Sequence, residues 1–233
     1  MKTSLLLICV LLFCCSCGED DAATYPTGNY ESADNIKNDA VTLYTKDKVI
    51  TDVTFIQAFL ERNQIYGFFD LKAGTAESPV HVTFDNRVAD SVYFRSVSGG
   101  GALELIFNQV YYDNNTAVLL GRDSLPGLPA DDGEISCSNV SIQIRKHPLL
   151  TYCAVSPIGS LFCKTRYRMP VMMEGDHFTL PVISYRFSTK TSVSDCAFGE
   201  KYAYGYLNMD ALKTIHTQDT LVVQTRMLTL ERK

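Results

Sequence analysis

The apolar and polar positions follow three different patterns along the chain. Leu5 to Phe13 form one unbroken apolar run, far shorter than the roughly twenty residues a spanning helix needs. A helical period follows at Asp52–Asn63. Asp52 is a capping residue, Phe55, Ile56, Phe59 and Leu60 share one face, and Asn63 stops the run. From Ile65 onward the period is two. Val80, Val82 and Phe84 alternate with His81, Thr83 and Asp85, and Leu103, Leu105 and Phe107 alternate with Ala102, Glu104, Ile106 and Asn108. Val140, Ile142 and Ile144 alternate with Asn139, Ser141, Gln143 and Arg145. Such alternation marks half-buried antiparallel strands.

Further strands are predicted at Val41–Tyr44, Val49–Thr51, Ile65–Leu71, Val92–Val97, Ala117–Leu120, Leu149–Val155, Leu161–Met169, Phe178–Phe187, Lys201–Tyr206 and Leu221–Leu230. Turn residues punctuate them at Ala73-Gly74-Thr75, Ser98-Gly99-Gly100-Gly101, Asp113-Asn114-Asn115 and Glu174-Gly175-Asp176. Leu125 to Gly133 is the longest irregular stretch, and a helical turn is expected at Met209–Ile215. The pattern predicts an all-β domain, mainly antiparallel, as a barrel or a sandwich. One short N-terminal helix packs on its sheet.

The N-terminal run has Lys2 before it, Ser16-Cys17 after it, and then the acidic Gly18-Glu19-Asp20-Asp21. This resembles a bacterial lipoprotein leader, and the acidic tail is similar to that of Bacteroides-type surface lipoproteins. The resemblance implies removal of residues 1–16, lipid attachment at Cys17, a tether over 17–29 and a single β-rich domain over 30–233. It also implies an outer-membrane lipoprotein, at the cell surface or, as the alternative, facing the periplasm. Cys15 is the competing attachment point, with Leu12 three residues before it.

The leader carries Lys2, so the mature chain holds 20 basic residues against 26 acidic ones. That balance leaves no electrostatic footprint for nucleic acid. Tryptophan is absent beside 13 Tyr and 12 Phe, which removes the usual stacking plate for sugars. Four cysteines remain in the body. Cys153 and Cys163 are symmetric about Ile158, the arrangement of facing residues on a hairpin. This spacing points to a Cys153–Cys163 bond and leaves Cys137–Cys196 as the second. Free thiols are the alternative. The close cysteine pairs of a zinc site are missing.

No G-x-S-x-G elbow and no H-E-x-x-H pair occurs, so no catalytic residue is assigned and the chain reads as non-catalytic. No cofactor or metal is assigned either. His177 beside Glu174 and Asp176, and the run Asp131-Asp132-Gly133-Glu134, read as solvated turns. Two strand faces carry more chemistry. Lys164, Arg166 and Arg168 share one face by their spacing, either to hold an anion or as a solvated outer surface. Tyr202, Tyr204 and Tyr206 share another, with Ala203 and Gly205 between them, either to stack a ligand or to fill core.

Gly28-Asn29-Tyr30 faintly resembles the G-x-W opening of lipocalins, with Tyr30 in place of tryptophan. That resemblance implies an up-and-down barrel enclosing a small apolar ligand. The resulting expectation is a lipid-anchored binding module whose partner is a small molecule, a glycan or an outer-membrane protein. The alternatives are an exported hydrolase and a subunit of an envelope or adhesion assembly.

Overall fold

The computed structural model describes residues 27–65, 67–88, 91–99, 101–113, 116–122, 125–127, 144, 149–155, 161–190 and 195–233. Cys17, Cys137, Asp131–Glu134 and His147 lie outside these residues. The strands are β1 (Asn29–Asn38), β2 (Thr42–Tyr44), β3 (Val49–Ile50), β4 (Gly74–Glu77), β5 (Val80–Asp85), β6 (Val92–Ser98) and β7 (Gly101–Asp113). They continue as β8 (Thr116–Gly121), β9 (Leu125–Gly127), β10 (Leu149–Val155), β11 (Leu161–Glu174), β12 (His177–Lys190), β13 (Asp195–Tyr204) and β14 (Asp219–Arg232).

Eight of these close on themselves in chain order, β1-β5-β6-β7-β8-β11-β12-β14 and back to β1. Every one of these pairings is antiparallel. The chain is therefore a barrel rather than a sandwich. An eight-stranded barrel is just wide enough for side chains to fill. Val82, Phe84, Phe94, Phe107, Leu119, Val171, Phe178, Leu180, Leu228 and Leu230 fill it here, each at most 2% exposed.

The barrel wall is incomplete on one side. β11 pairs with β12 only at Met172–Glu174 against His177–Thr179. Beyond that point β12 takes β13 as its neighbour instead, from Val182↔Tyr204 to Lys190↔Asp195. The first half of β11 leaves the closed ring to pair with β9 and β10. β12 and β14 thus run out of the barrel as a small sheet with a second core on one face: Ile183, Tyr185, Phe187, Leu221 and Val223 with Ala211 and Ile215. Cover on both faces explains why Phe178 to Tyr185 is buried without alternation.

The helix, α1 (Val53–Arg62), forms as its pattern predicts. Asp52 Oδ1 accepts from the Phe55 N–H at 2.7 Å, and Asn63 is the C-cap. Ile56 and Leu60 share a buried cluster with Val41, Leu43 and Val222, while Phe55 is 52% exposed. The predicted strand at Ile65–Leu71 does not form; the segment is irregular after Gln64, which has φ 55°. The helical turn near Met209 is a short 3-10 turn over Ala211–Thr214. Ile144 is buried but not in a strand. β1 is a barrel strand that the apolar pattern did not predict.

Candidate functional site

The inward positions of β5 and β6, among them Val80 and Ser96, lead up to an open end of the barrel. There a cavity of about 330 Å³ is lined by Val80, Ser96, Ser98, Leu103, Lys201, Tyr202 and Tyr204, among others. The barrel interior below it is filled, so ligand-sized space lies at this mouth and not inside the barrel. The Ser98–Gly101 turn forms one lip, as its glycines predict. The end of β13 forms the other.

β13 reaches the mouth through a bulge. Ile183 pairs with Ala203 but Tyr185 pairs with Glu200, so two residues, Lys201 and Tyr202, oppose Ser184 alone. Tyr202 takes φ 58°, a costly conformation for an aromatic residue. Its N–H donates to Ser184 Oγ at 3.1 Å, which helps hold it there. Two cations flank its ring: Arg226 Cζ is 4.9 Å and Lys201 Nζ 5.0 Å from the centroid.

Behind Tyr202 lies a polar group at the throat of the barrel. Arg226 is 2% exposed, and its guanidinium donates to Ser184 Oγ at 2.6 Å and Gln224 Oε1 at 2.5 Å. Burial lowers its pKa, an effect opposed by Tyr202 and Asp70, but an arginine stays charged. Gln224 is fully buried and makes four bonds. Its amide donates to the Asp39 and Asp70 carbonyls at 3.0 and 2.6 Å, and its Oε1 also accepts from the Asp70 N–H at 2.9 Å. Asn38 Nδ2 donates to Asp70 Oδ2 at 3.2 Å. The irregular segment after α1 is thereby fastened over this end.

The three tyrosines do not act together. Tyr204 packs into the barrel core edge-to-face with Phe94, 5.1 Å between centroids. Burial raises its phenol pKa, partly offset by the bond to Ser96. Gly205, at φ 137°, ends the strand. Tyr206 leaves the face and bonds to Thr116; burial raises its pKa, the Thr116 bond lowers it, and Glu174 raises it further. Only Tyr202 and Tyr204 line the mouth, so the expected ladder of three is corrected to two.

Arg168 lies on β11 with parity opposite to the buried Met169 and Val171, hence on the outer side of the wall, while Lys164 and Arg166 belong to the part of β11 that pairs with β9 and β10. Arg166 is exposed and Arg168 half-buried. Neither Arg166 nor Arg168 is among the residues lining the mouth. Cys153 and Cys163 are direct partners in the β10–β11 register, as the symmetry about Ile158 predicts for the backbone. Cys196 is disulfide-bonded.

A second cleft, of about 520 Å³, opens where β1 changes neighbour from β5 to β4, with Ser32, Asp34, Glu77 and His81 in its wall. His81 Nδ1 is 3.5 Å from Ser32 Oγ, which already accepts from the Val82 N–H at 3.0 Å. That separation is longer than a nucleophile–base pair requires. Among the described residues no three His, Cys, Asp or Glu side chains are grouped to hold a metal ion.

No family model, curated protein or solved structure matches this chain.

Proposed function

We propose that this chain is a lipid-anchored, non-catalytic binding module of the cell envelope that takes a small ligand at the mouth of its barrel. The observation that carries this reading is the mouth cavity itself. It joins an apolar wall to a polar and aromatic one, and it is the place where β13 departs from regular geometry to put Tyr202 on a wall. Irregular backbone of this kind concentrates at ligand clamps and active sites.

The envelope address rests on the leader: Cys17 is the lipid attachment point and residues 17–29 the tether. The barrel supports attachment by lipid rather than insertion. Its interior is apolar, whereas His81, Arg95 and Glu104 are exposed on its outside. A barrel crossing a membrane has the opposite arrangement. The acidic run after Cys17, similar to that of Bacteroides-type surface lipoproteins, favours an outward-facing module over a periplasm-facing one. The meander order of the eight strands and Gly28-Asn29-Tyr30 at the start of β1 support a lipocalin-like reading of the scaffold.

Native mass spectrometry of the body from Glu19 tests the ligand. A stoichiometric adduct that is lost on denaturation, and lost in Tyr202→Ala, is the expected result. A clean apo mass after purification from the native envelope counts against the mouth as a ligand site.

One observation favours a second reading, a subunit of an envelope assembly. β3 ends the strand order, and Val49 in it and Val53 and Phe55 on α1 are 65%, 51% and 52% exposed. Cross-linking in intact cells distinguishes the two: a discrete partner captured through this patch and not through the mouth supports assembly.

A further inference from the structure

We infer that the ligand of the mouth is a small organic anion, a compact carboxylate with an apolar ring body. This deepens the reading of the mouth as a ligand site and rests on it.

The charge balance at the throat carries the inference. Arg226 is a buried cation whose bonded partners are all neutral: the Ser184 hydroxyl, the Gln224 amide and the face of Tyr202. Asp70 is the carboxylate that acts on it through space. The oxygens of Asp70 are committed elsewhere, to Asn38 Nδ2 at 3.2 Å and to the Lys72 N–H at 3.0 Å. Among the described residues neither Arg226 nor Lys201 has a carboxylate in ion-pair range. A buried cation without a paired anion is unfavourable, and a carboxylate held nearby on Lys201 offsets it at longer range.

The geometry agrees with the charge. Tyr202 separates Arg226 from the cavity, and Lys201 stands on the cavity side at the exposed lip. A ligand carboxylate on Lys201 therefore enters the field of both cations. The opposite wall, Val80, Ala102 and the 39%-exposed Leu103, is apolar. Ser96 and Ser98 add hydroxyls between the two walls. The volume of about 330 Å³ is near the lower bound of small-molecule sites. It suits a one- or two-ring acid.

The test compares 1-naphthoate with 1-naphthamide, equal in shape and different in charge. Each is titrated calorimetrically into the intact chain in non-ionic detergent, with detergent alone as the blank. The expected result is that the acid binds about tenfold more tightly than the amide, and that raised salt narrows the difference. Lys201→Met, a change at an exposed side chain, brings the two probes to within about threefold, the size of change that losing one exposed ion pair brings. Tyr202→Ala weakens both probes together.

Equal affinity of acid and amide overturns the anion inference and leaves the mouth reading intact. Failure of both probes to bind also overturns the anion inference, and the native adduct then decides the mouth separately. If both probes bind but ignore Tyr202→Ala, the site is elsewhere and both readings fall.

Discussion

Tyr204 Oη and Ser96 Oγ share a 2.5 Å hydrogen bond across the whole barrel. Ser96 is on β6, and Tyr204 is on β13 beside β12, opposite Val182. In the closed order β6 and β12 are diametrically opposed. The bond therefore ties the strand that patches the incomplete wall to the far side of the ring. Ser96 is 7% exposed, so losing its partner leaves a buried hydroxyl unpaired. Tyr204→Phe and Ser96→Ala are each expected to lower unfolding stability by about 1–2 kcal/mol. The double mutant is expected to cost clearly less than the sum of the two, because one bond is removed in all three variants. Chemical denaturation of the four proteins checks it; additive losses would show that the hydroxyls do not act on one another.

Gln224 makes a stronger case, since both of its amide atoms are fully used. Its bonds to the Asp39 carbonyl and to both backbone groups of Asp70 fasten the segment after α1 to β14, and the fourth bond accepts from Arg226. Gln224→Leu leaves those backbone groups and one guanidinium arm without partners. A loss of about 2–4 kcal/mol is expected. The amide of Asp70 should exchange with deuterium much faster than those of β14. Unchanged exchange at Asp70 would mean that the apolar contacts of Phe69 and Leu71 hold the segment unaided.

Two positions show what was legible in the chain and what was not. α1 was legible because its cap and its 3.6-residue period agree, and Ile56 and Leu60 are buried as that period requires. β1 was not. Asn29–Asn38 contributes only Tyr30 and Ile36 to the barrel core, and its register shifts against β14 between Ser32 and Ile36. A bulge of this kind erases the period of two on which strand recognition depends. The site was half legible. Tyr202 and Tyr204 stood out by spacing, but the φ of Tyr202 and the turn at Gly205 separate Tyr206 from them. Arg226 was missed although a signal existed. It occupies the same strand parity as Leu228 and Leu230, so a cation falls where an inward apolar residue is due. The Lys164–Arg168 row drew attention by charge and spacing, but Arg166 is exposed and Arg168 half-buried, which is what a solvated face carries.

Gly199 is predicted to be intolerant of any side chain. A Cβ there would meet the backbone oxygen of Tyr185 at 2.3 Å and the Arg186 side chain at 3.0 Å. A backbone atom paired in a sheet cannot turn away as a side chain can. Gly199→Ala is expected to destabilise by about 1–3 kcal/mol through forced shifts of β12 and β13. Ala at Gly101, where no atom lies within 4 Å but φ is 135°, tests conformation without a clash. Thermal unfolding of both separates the two causes; equal melting temperatures for Gly199→Ala and the parent would contradict the close approach.

Asp85 gives a pH dependence with a defined sign. The hydrogen bonds from Arg87, 2.6 and 2.9 Å long, hold its carboxyl below the ordinary range, partly offset by desolvation. A depressed folded pKa adds stability that is complete above the unfolded value near about 3.9 and is lost as pH falls through the folded value. The effect is small because the Arg87 side chain is 64% exposed and solvent screens the pair. Asp85→Asn should therefore be slightly less stable than the parent at neutral pH, and the two should converge in acid. A gap that widened below pH 4 would reverse the sign.

The cysteines offer the test that joins scaffold to address. The register sets the backbones of Cys153 and Cys163 opposite one another on β10 and β11, as the expected Cys153–Cys163 pairing asks. Cys196, at the start of β13, is disulfide-bonded, and Cys137 is its expected partner. Both bonds would require an oxidising compartment, which export by the proposed leader would supply. Peptide mapping without reductant should recover Cys153 joined to Cys163 and Cys137 joined to Cys196. Reduction should cost about 2–3 kcal/mol for the short hairpin loop. Metabolic labelling with a radioactive fatty acid should mark the chain and fail in Cys17→Ala, which should leave the membrane fraction. Crossed pairing would refute the hairpin assignment. Labelling that survives Cys17→Ala would move the anchor to Cys15. A chain made in the cell with all four body cysteines reduced and no lipid would refute the envelope address itself, since export and oxidation are two consequences of one leader.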